Sequence, residues 1–163
     1  MRWQSTGFWG LALALSASGC ASYGTAMINP NRQIVTCRAT GGGALGVAMA
    51  SSSHDKCVET YRTAAYLLVD EAGATGISNV SSEDKTVRIL KVTENSPASR
   101  TGITAGDVIR KVNGQPVTTA RDAMTLLFGR AGEKVDLVLA KDREERAVTL
   151  TLDPYRKIYG TGK

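Results

Sequence analysis

Apolar residues change their spacing several times along this chain, and each change marks an element. Over 56–69 they recur at Val58, Tyr61, Ala65 and Leu68, the three-to-four spacing of an amphipathic helix, with Asp55 placed as its N-cap. A second helix is predicted over 119–128. Thr118 or Thr119 can cap it, Asp122 suits its first turn, Gly129 can end it, and Ala120, Ala123, Met124 and Leu127 form its stripe. Between the two, Pro97 fits the first turn of a short helix that Gly102 can close with a positive φ. Gly106 and Asp107 then turn the chain into Val108, Ile109 and Val112, a β-branched run ending on the turn dipeptide Asn113-Gly114. Over 33–36 a short strand is possible. Over 41–50 glycines and alternating Leu45, Val47 and Met49 predict a tight turn and a close-packed strand or short helix.

The first residues follow another pattern. Met1 and Arg2 precede an apolar core of Phe8, Trp9 and 11–15, then small residues Ser16 to Gly19 and Cys20. The core is far shorter than the ~20 residues of a membrane-spanning helix, and the arrangement reads as a secretory signal peptide over 1–19. Small residues directly before a cysteine resemble the lipobox of bacterial lipoproteins, with Ala17 where that family usually has leucine. The resemblance implies that Cys20 is acylated and anchors the chain in a Gram-negative envelope, facing the periplasm. Ala21 after it implies the outer membrane. The other reading is ordinary secretion with Cys20 kept as a thiol.

Charge narrows the partners. The chain has 20 Lys and Arg against 15 Asp and Glu, and removing 1–19 takes only Arg2 from either total. Opposite charges alternate over 141–146, a solvated turn rather than a phosphate-tracking stripe, so no nucleic acid is expected. An exported chain meets an oxidising compartment, so Cys37 and Cys57 are expected to form a disulfide. Closing a loop of this size is worth roughly 3 kcal/mol on the chain-entropy model. His54, Cys37 and Cys57 lack a fourth metal ligand, and no metal or other cofactor is expected. Gly41, Gly43 and Gly46 match GxGxxG, but no long βαβ unit surrounds them, and the match is read as accidental.

The segment 96–114, SPASRTGITAGDVIRKVNG, resembles the PDZ domain, in the bacterial form carried by high-temperature-requirement and carboxy-terminal processing proteases. Its SPA, Gly102-Ile103, GDVI and NG elements agree in order, and the resemblance extends over about half the chain. It implies an α+β fold: a small, mostly antiparallel barrel or sandwich with two helices, strands over 87–92, 135–140 and 147–152, and a cysteine-containing N-terminal segment ahead of it. The expected divisions are 1–19 signal peptide, 20–72 N-terminal segment and helix, 73–153 PDZ domain and 154–163 polar tail. The resemblance also places a carboxylate-binding loop at Thr75, Gly76 and Ile77. Ser78, Asn79 and Val80 follow as the strand that pairs with a peptide. Ala123, Met124 and Leu127 line a pocket for an apolar terminal side chain, with Ile77 as its floor. Thr75 departs from the apolar residue usual at its position.

Catalysis has little to stand on. His54 is the single histidine, and neither a GxSxG elbow nor a metal signature is present. The expectation is a non-catalytic, lipid-anchored adaptor that binds peptide segments or C-termini of envelope proteins. The alternative is a structural envelope lipoprotein whose fold packs constitutively against an assembly subunit. An open apolar groove favours the first. A groove filled by the chain's own tail or N-terminal helix favours the second.

Overall fold

The computed structural model describes residues 19–142 and 144–160, so the signal-peptide expectation lies, up to residue 18, outside the described residues. β1 (Cys20–Ile28) and β2 (Ile34–Gly42) form an antiparallel hairpin in register from Cys20↔Gly42 to Ile28↔Ile34. α1 (Gly43–Thr63) packs across both strands. β3 (Leu67–Leu68) adds to β1, giving the order β2-β1-β3. Cys37 on β2 and Cys57 on α1 are disulfide-bonded, with their Cα atoms 5.8 Å apart.

The helix is longer and earlier than the sequence pattern implied. It starts after Gly42, with no side-chain cap, so Asp55 lies inside it rather than at its N-cap, and the chain beyond Thr63 leaves the helix for β3. The glycine run supplies the turn from β2 into α1. Gly43 has φ +69, and a Cβ on Gly41 would overlap the Gly46 carbonyl, so two backbones meet where only hydrogen fits. These glycines do stand at a strand-to-helix turn, but the strand after the helix, β3, is two residues long and joins β1 rather than β2, so no long βαβ unit with adjacent parallel strands is built here.

The rest of the chain builds the expected α+β layers. In order come β4 (Gly73–Ala74), β5 (Ile77–Glu83), β6 (Thr86–Val92), α2 (Pro97–Arg100), β7 (Val108–Val112), β8 (Gln115–Pro116), α3 (Ala120–Leu126), β9 (Lys134–Lys141), β10 (Glu144–Thr151), β11 (Asp153–Pro154) and α4 (Tyr155–Tyr159). The main sheet runs β10-β9-β7-β6-β5, with β8 on β7, while β4 and β11 pair separately. The sheet is open, with β5 and β10 at its edges, so the architecture is a sandwich rather than a closed barrel. Alternation explains the strands: Val135, Leu137 and Leu139 of β9 point into the core, while Lys134, Asp136 and Val138 between them are more exposed. They join Val87, Ile89, Ile109, Val112 and Leu150 beneath α2 and α3.

Gly106-Asp107 does more than turn the chain. Asp107 is fully buried, accepts from Thr104 N at 3.0 Å, and meets Arg146 at 3.0 Å and Lys141 at 3.7 Å. A carboxylate so placed ties the start of β7 to β9 and β10. The polar tail is likewise structured over α4. Tyr155 N donates to Ala72 O at 2.9 Å, and Arg156 pairs with Asp70 at 2.8 Å. Burial pushes the Asp153 carboxyl up, but hydrogen bonds and charge from Lys157 and Arg100 outweigh it and hold it below the ordinary range. The tyrosines of α4 give this segment an apolar face, with Tyr155 packed against the cluster of Ile28, Val69 and Ala72.

Candidate functional site

The loop from Thr75 to Ile77 joins β4 to β5 and is held from behind by the SPA segment. Ser96 Oγ donates to Thr93 O at 2.6 Å and accepts from Ser99 N at 3.2 Å, capping α2. Ala98 N donates to Thr75 O at 2.9 Å, and Thr93 N donates to Gly76 O at 2.8 Å. The loop's carbonyls are thereby occupied. Gly76, at φ +85, brings the backbone so close that a Cβ would overlap Ser96. Thr75 is buried, and its Oγ1 accepts from Ile77 N at 3.2 Å. Its hydroxyl thus fills, inside the loop, one of the three amide positions a carboxylate would use. Among the described residues the N–H groups of Thr75 and Gly76 have no partner, an arrangement of donors suited to an anion.

β5 runs on from the loop and, among the described residues, pairs with no strand but β6, so no strand covers its second edge. Its register slips between Ile77 and Val80, which bends this edge. α3 lies alongside, capped by Thr119, whose Oγ1 accepts from Asp122 N at 3.1 Å. Sequence placed Ile77, Ala123, Met124 and Leu127 around one pocket. The structure brings them to one region but divides their work. Ala123 and Ile77 are fully buried in the core, Leu127 belongs to that core and also borders the inner groove, and Met124 lines the groove. Ser78, Asn79 and Val80 form the facing wall of its outer part.

The groove has two parts of unequal size. The outer part, between β5 and α3, encloses about 330 Å³ and is bordered by Asn31, Arg32, Asn79, Val80, Arg121 and Met124. The inner part, beside Thr75, Leu127 and Phe128, encloses about 30 Å³, narrowed by Tyr155 and Tyr159 of α4 and by Pro30 and Arg32. That holds a water or two. It has no room for an isoleucine side chain unless these residues move.

Arg32, Tyr155 and Tyr159 are site residues that sequence reasoning missed. Arg32 sits at the tip of the β1–β2 hairpin at φ +61. Asn29 organises that tip, accepting from Arg32 N at 2.8 Å and Gln33 N at 2.9 Å and donating to Tyr66 at 3.1 Å. The Arg32 guanidinium then reaches across the chain. It donates to Ser78 O at 2.8 Å and to Ile77 O, and lies over the Tyr159 ring at 4.7 Å. Burial pushes the Tyr159 hydroxyl above its ordinary pKa, against the opposing charge of Arg32.

His54 lies away from this groove, bonded to Thr25 Oγ1 at 2.9 Å and stacked near Tyr23. Among the described residues no cluster of side chains could hold a metal.

Comparison with known proteins agrees with this architecture. The family described as PDZ domain matches residues 43–152. The regulator of sigma-E protease RseP of Salmonella typhimurium is 40% identical over 69 residues, covering 42% of this chain and 15% of that protein. A DegP-like periplasmic serine endoprotease of Ectopseudomonas mendocina is 31% identical over 65 residues, covering 39% and 14%. Among solved structures, the photosystem II D1 C-terminal processing protease superposes with a TM-score of 0.48 at 28% identity, covering 52% of this chain and 24% of that one. The chain therefore spans a small part of the length of the proteases it resembles.

Proposed function

Because this chain belongs to the PDZ domain family, we propose that it is a non-catalytic, lipid-anchored protein of the bacterial envelope that binds the C-terminal strands of partner proteins. The observation that carries this reading is a pair of donors, the N–H groups of Thr75 and Gly76, without partners among the described residues, at the head of a strand whose outer edge no other strand covers. A partner strand would add beside β5 by backbone pairing. Its carboxylate would meet those donors and its last side chain would lie against Met124 and Leu127, with Tyr155 and Tyr159 drawn back. Binding a short segment costs it conformational freedom, so modest affinity is expected, offset by concentration at the membrane.

The envelope location is supported by the periplasmic DegP-like relative and by the Cys37–Cys57 disulfide. Anchoring, with the outer membrane as the destination, rests on Cys20, an exposed free cysteine at the start of β1. Beside it α1 begins, and its first two turns expose Leu45 at 82% and Met49 at 73%. Apolar side chains so placed suit a surface held close to lipid. Labelled palmitate is expected to enter the chain in Gram-negative cells and to be lost in Cys20→Ser. Absence of label from the unaltered chain would remove the anchor from the proposal.

A second reading has its own observation. The inner groove is narrowed by the chain's own hairpin tip and C-terminal helix, as a protein that packs on a fixed envelope subunit without reading free termini would have it. Fluorescence anisotropy separates the two. The full chain in detergent is titrated with peptides ending in an apolar residue, as free acid and as amide. The adaptor reading expects the acid to bind, the amide to bind more weakly, and Met124→Glu to weaken the acid by about tenfold or more through burial of an unpaired charge. No binding of either peptide would leave the packing reading in its place.

A further inference from the structure

We propose that Arg32 is the specificity-determining residue of the groove, closing it to strands without a carboxylate end and pairing with that carboxylate when one enters. The inference rests on the peptide-binding reading above and adds to it a residue from outside the strand-and-helix walls.

The free-state geometry shows what Arg32 obstructs. Its two guanidinium nitrogens hold the carbonyls of Ile77 and Ser78, the first residues of β5 after the carboxylate loop. An added strand is held by donors and acceptors exchanged along the edge, so it needs acceptors at this position. Arg32 and the incoming backbone therefore compete. Removing a charged donor from two carbonyls costs free energy that an uncharged strand end has no means to return.

The same geometry shows what could return it. Arg32 is a full charge held by two neutral carbonyls and a tyrosine ring. Among the described residues no carboxylate pairs with it, and neither part of the groove is bordered by Asp or Glu. The other charged residue bordering the groove, Arg121, has the same sign. Thr75 lies with Arg32 on the border of the inner part, so a carboxylate at the loop's free N–H groups comes within reach of the guanidinium. There the planar fork can exchange two carbonyls for two carboxylate oxygens, a stronger pairing. An amidated or internal segment offers no such exchange.

The test compares unaltered protein, Arg32→Ala and Arg32→Lys as full chains in detergent, with near-UV circular dichroism to check folding. Each is titrated with one peptide as acid and as amide, at low and high salt. In the unaltered protein the acid is expected to bind tighter, with an affinity that falls as salt rises. In Arg32→Ala the preference is expected to shrink by about tenfold, the size of one charge-assisted hydrogen bond. The amide should bind that variant better than it binds the unaltered protein, and the salt dependence should flatten. Arg32→Lys keeps the charge without the fork and should fall between. If Arg32→Ala does not fold, a full preference retained by Arg32→Lys overturns the proposal, and a reduced one supports it. A preference undiminished in Arg32→Ala overturns the role of Arg32 alone. Failure of every protein to bind either peptide overturns the peptide-binding reading, and this inference with it.

Discussion

Replacing Gly76 with alanine is expected to destabilise the fold by about 2–6 kcal/mol, measured by urea denaturation, even though only one methyl group is added. Two costs combine. The residue sits at φ +85, where an L side chain is strained by roughly 1–3 kcal/mol. The new Cβ would also overlap Ser96, whose fully buried hydroxyl caps α2 and bonds Thr93, and overpacking of this kind adds roughly 1–3 kcal/mol. The double substitution Gly76→Ala with Ser96→Gly separates the parts. It should recover the packing share, less the lost cap, and leave the backbone strain, so the two changes are strongly non-additive. A Gly76→Ala protein within about 0.5 kcal/mol of the original would contradict the assigned contact. One practical consequence is that bulk at Gly76 would disturb the loop itself rather than merely obstruct the groove. The groove is better obstructed from α3, at Met124, which reaches its open side.

The same loop explains why so much of this fold was legible. Gly76, Gly102, Gly106, Asn113 and Gly114 all have positive φ, and Pro97 stands at the first turn of α2. Residue types with special backbone freedom mark turns, and turns fix where strands begin, so the order SPA, Gly-Ile, GDVI and NG encodes the architecture locally. That signal is local in the chain.

What was missed depends on contacts between distant residues or on backbone packing with no side-chain signature. The start of α1 was left between strand and helix because Leu45, Val47 and Met49 alternate with small residues, a strand-like spacing, and the contact with β2 runs through Gly41 and Gly46, which bear no side chain. The stripe of α3 could be read, but not which members face the core, since one helical face serves both the sheet and the groove. Ala123 went inward, while Met124 borders the groove. Arg32 could be located but not placed. Asn29-Pro30-Asn31 marks a turn, yet nothing local says that its tip crosses to Ile77, 45 positions away.

Loss of the Cys37–Cys57 bond, by reduction or by Cys57→Ser, is expected to remove about 3 kcal/mol, as the chain-entropy model gives for a loop of this length. Its effect should be confined to one part of the molecule. β1, β2 and α1 bury few large side chains, chiefly Met27 and Ile28, and α1 buries only Ala50. The main core around Ile89, Ile109 and Leu139 draws on none of them. Hydrogen exchange should therefore show amides of β1 and β2 losing protection while those of β7 and β9 keep theirs, a local opening rather than global unfolding. Equal loss in both regions would mean that the two parts fold as one. The hairpin would keep its junctions to β3 and the Val69 N to Ala26 O bond of 3.0 Å, but its brace on α1 would be gone. Its tip carries Arg32, so reduction should also loosen the guanidinium from Ile77 and Ser78. Binding of an amidated peptide should then improve on reduction, in the same direction as in Arg32→Ala. If protection in β1 and β2 falls but amide binding does not rise, the hairpin tip is held over the groove by its junction to β3 and not by the disulfide.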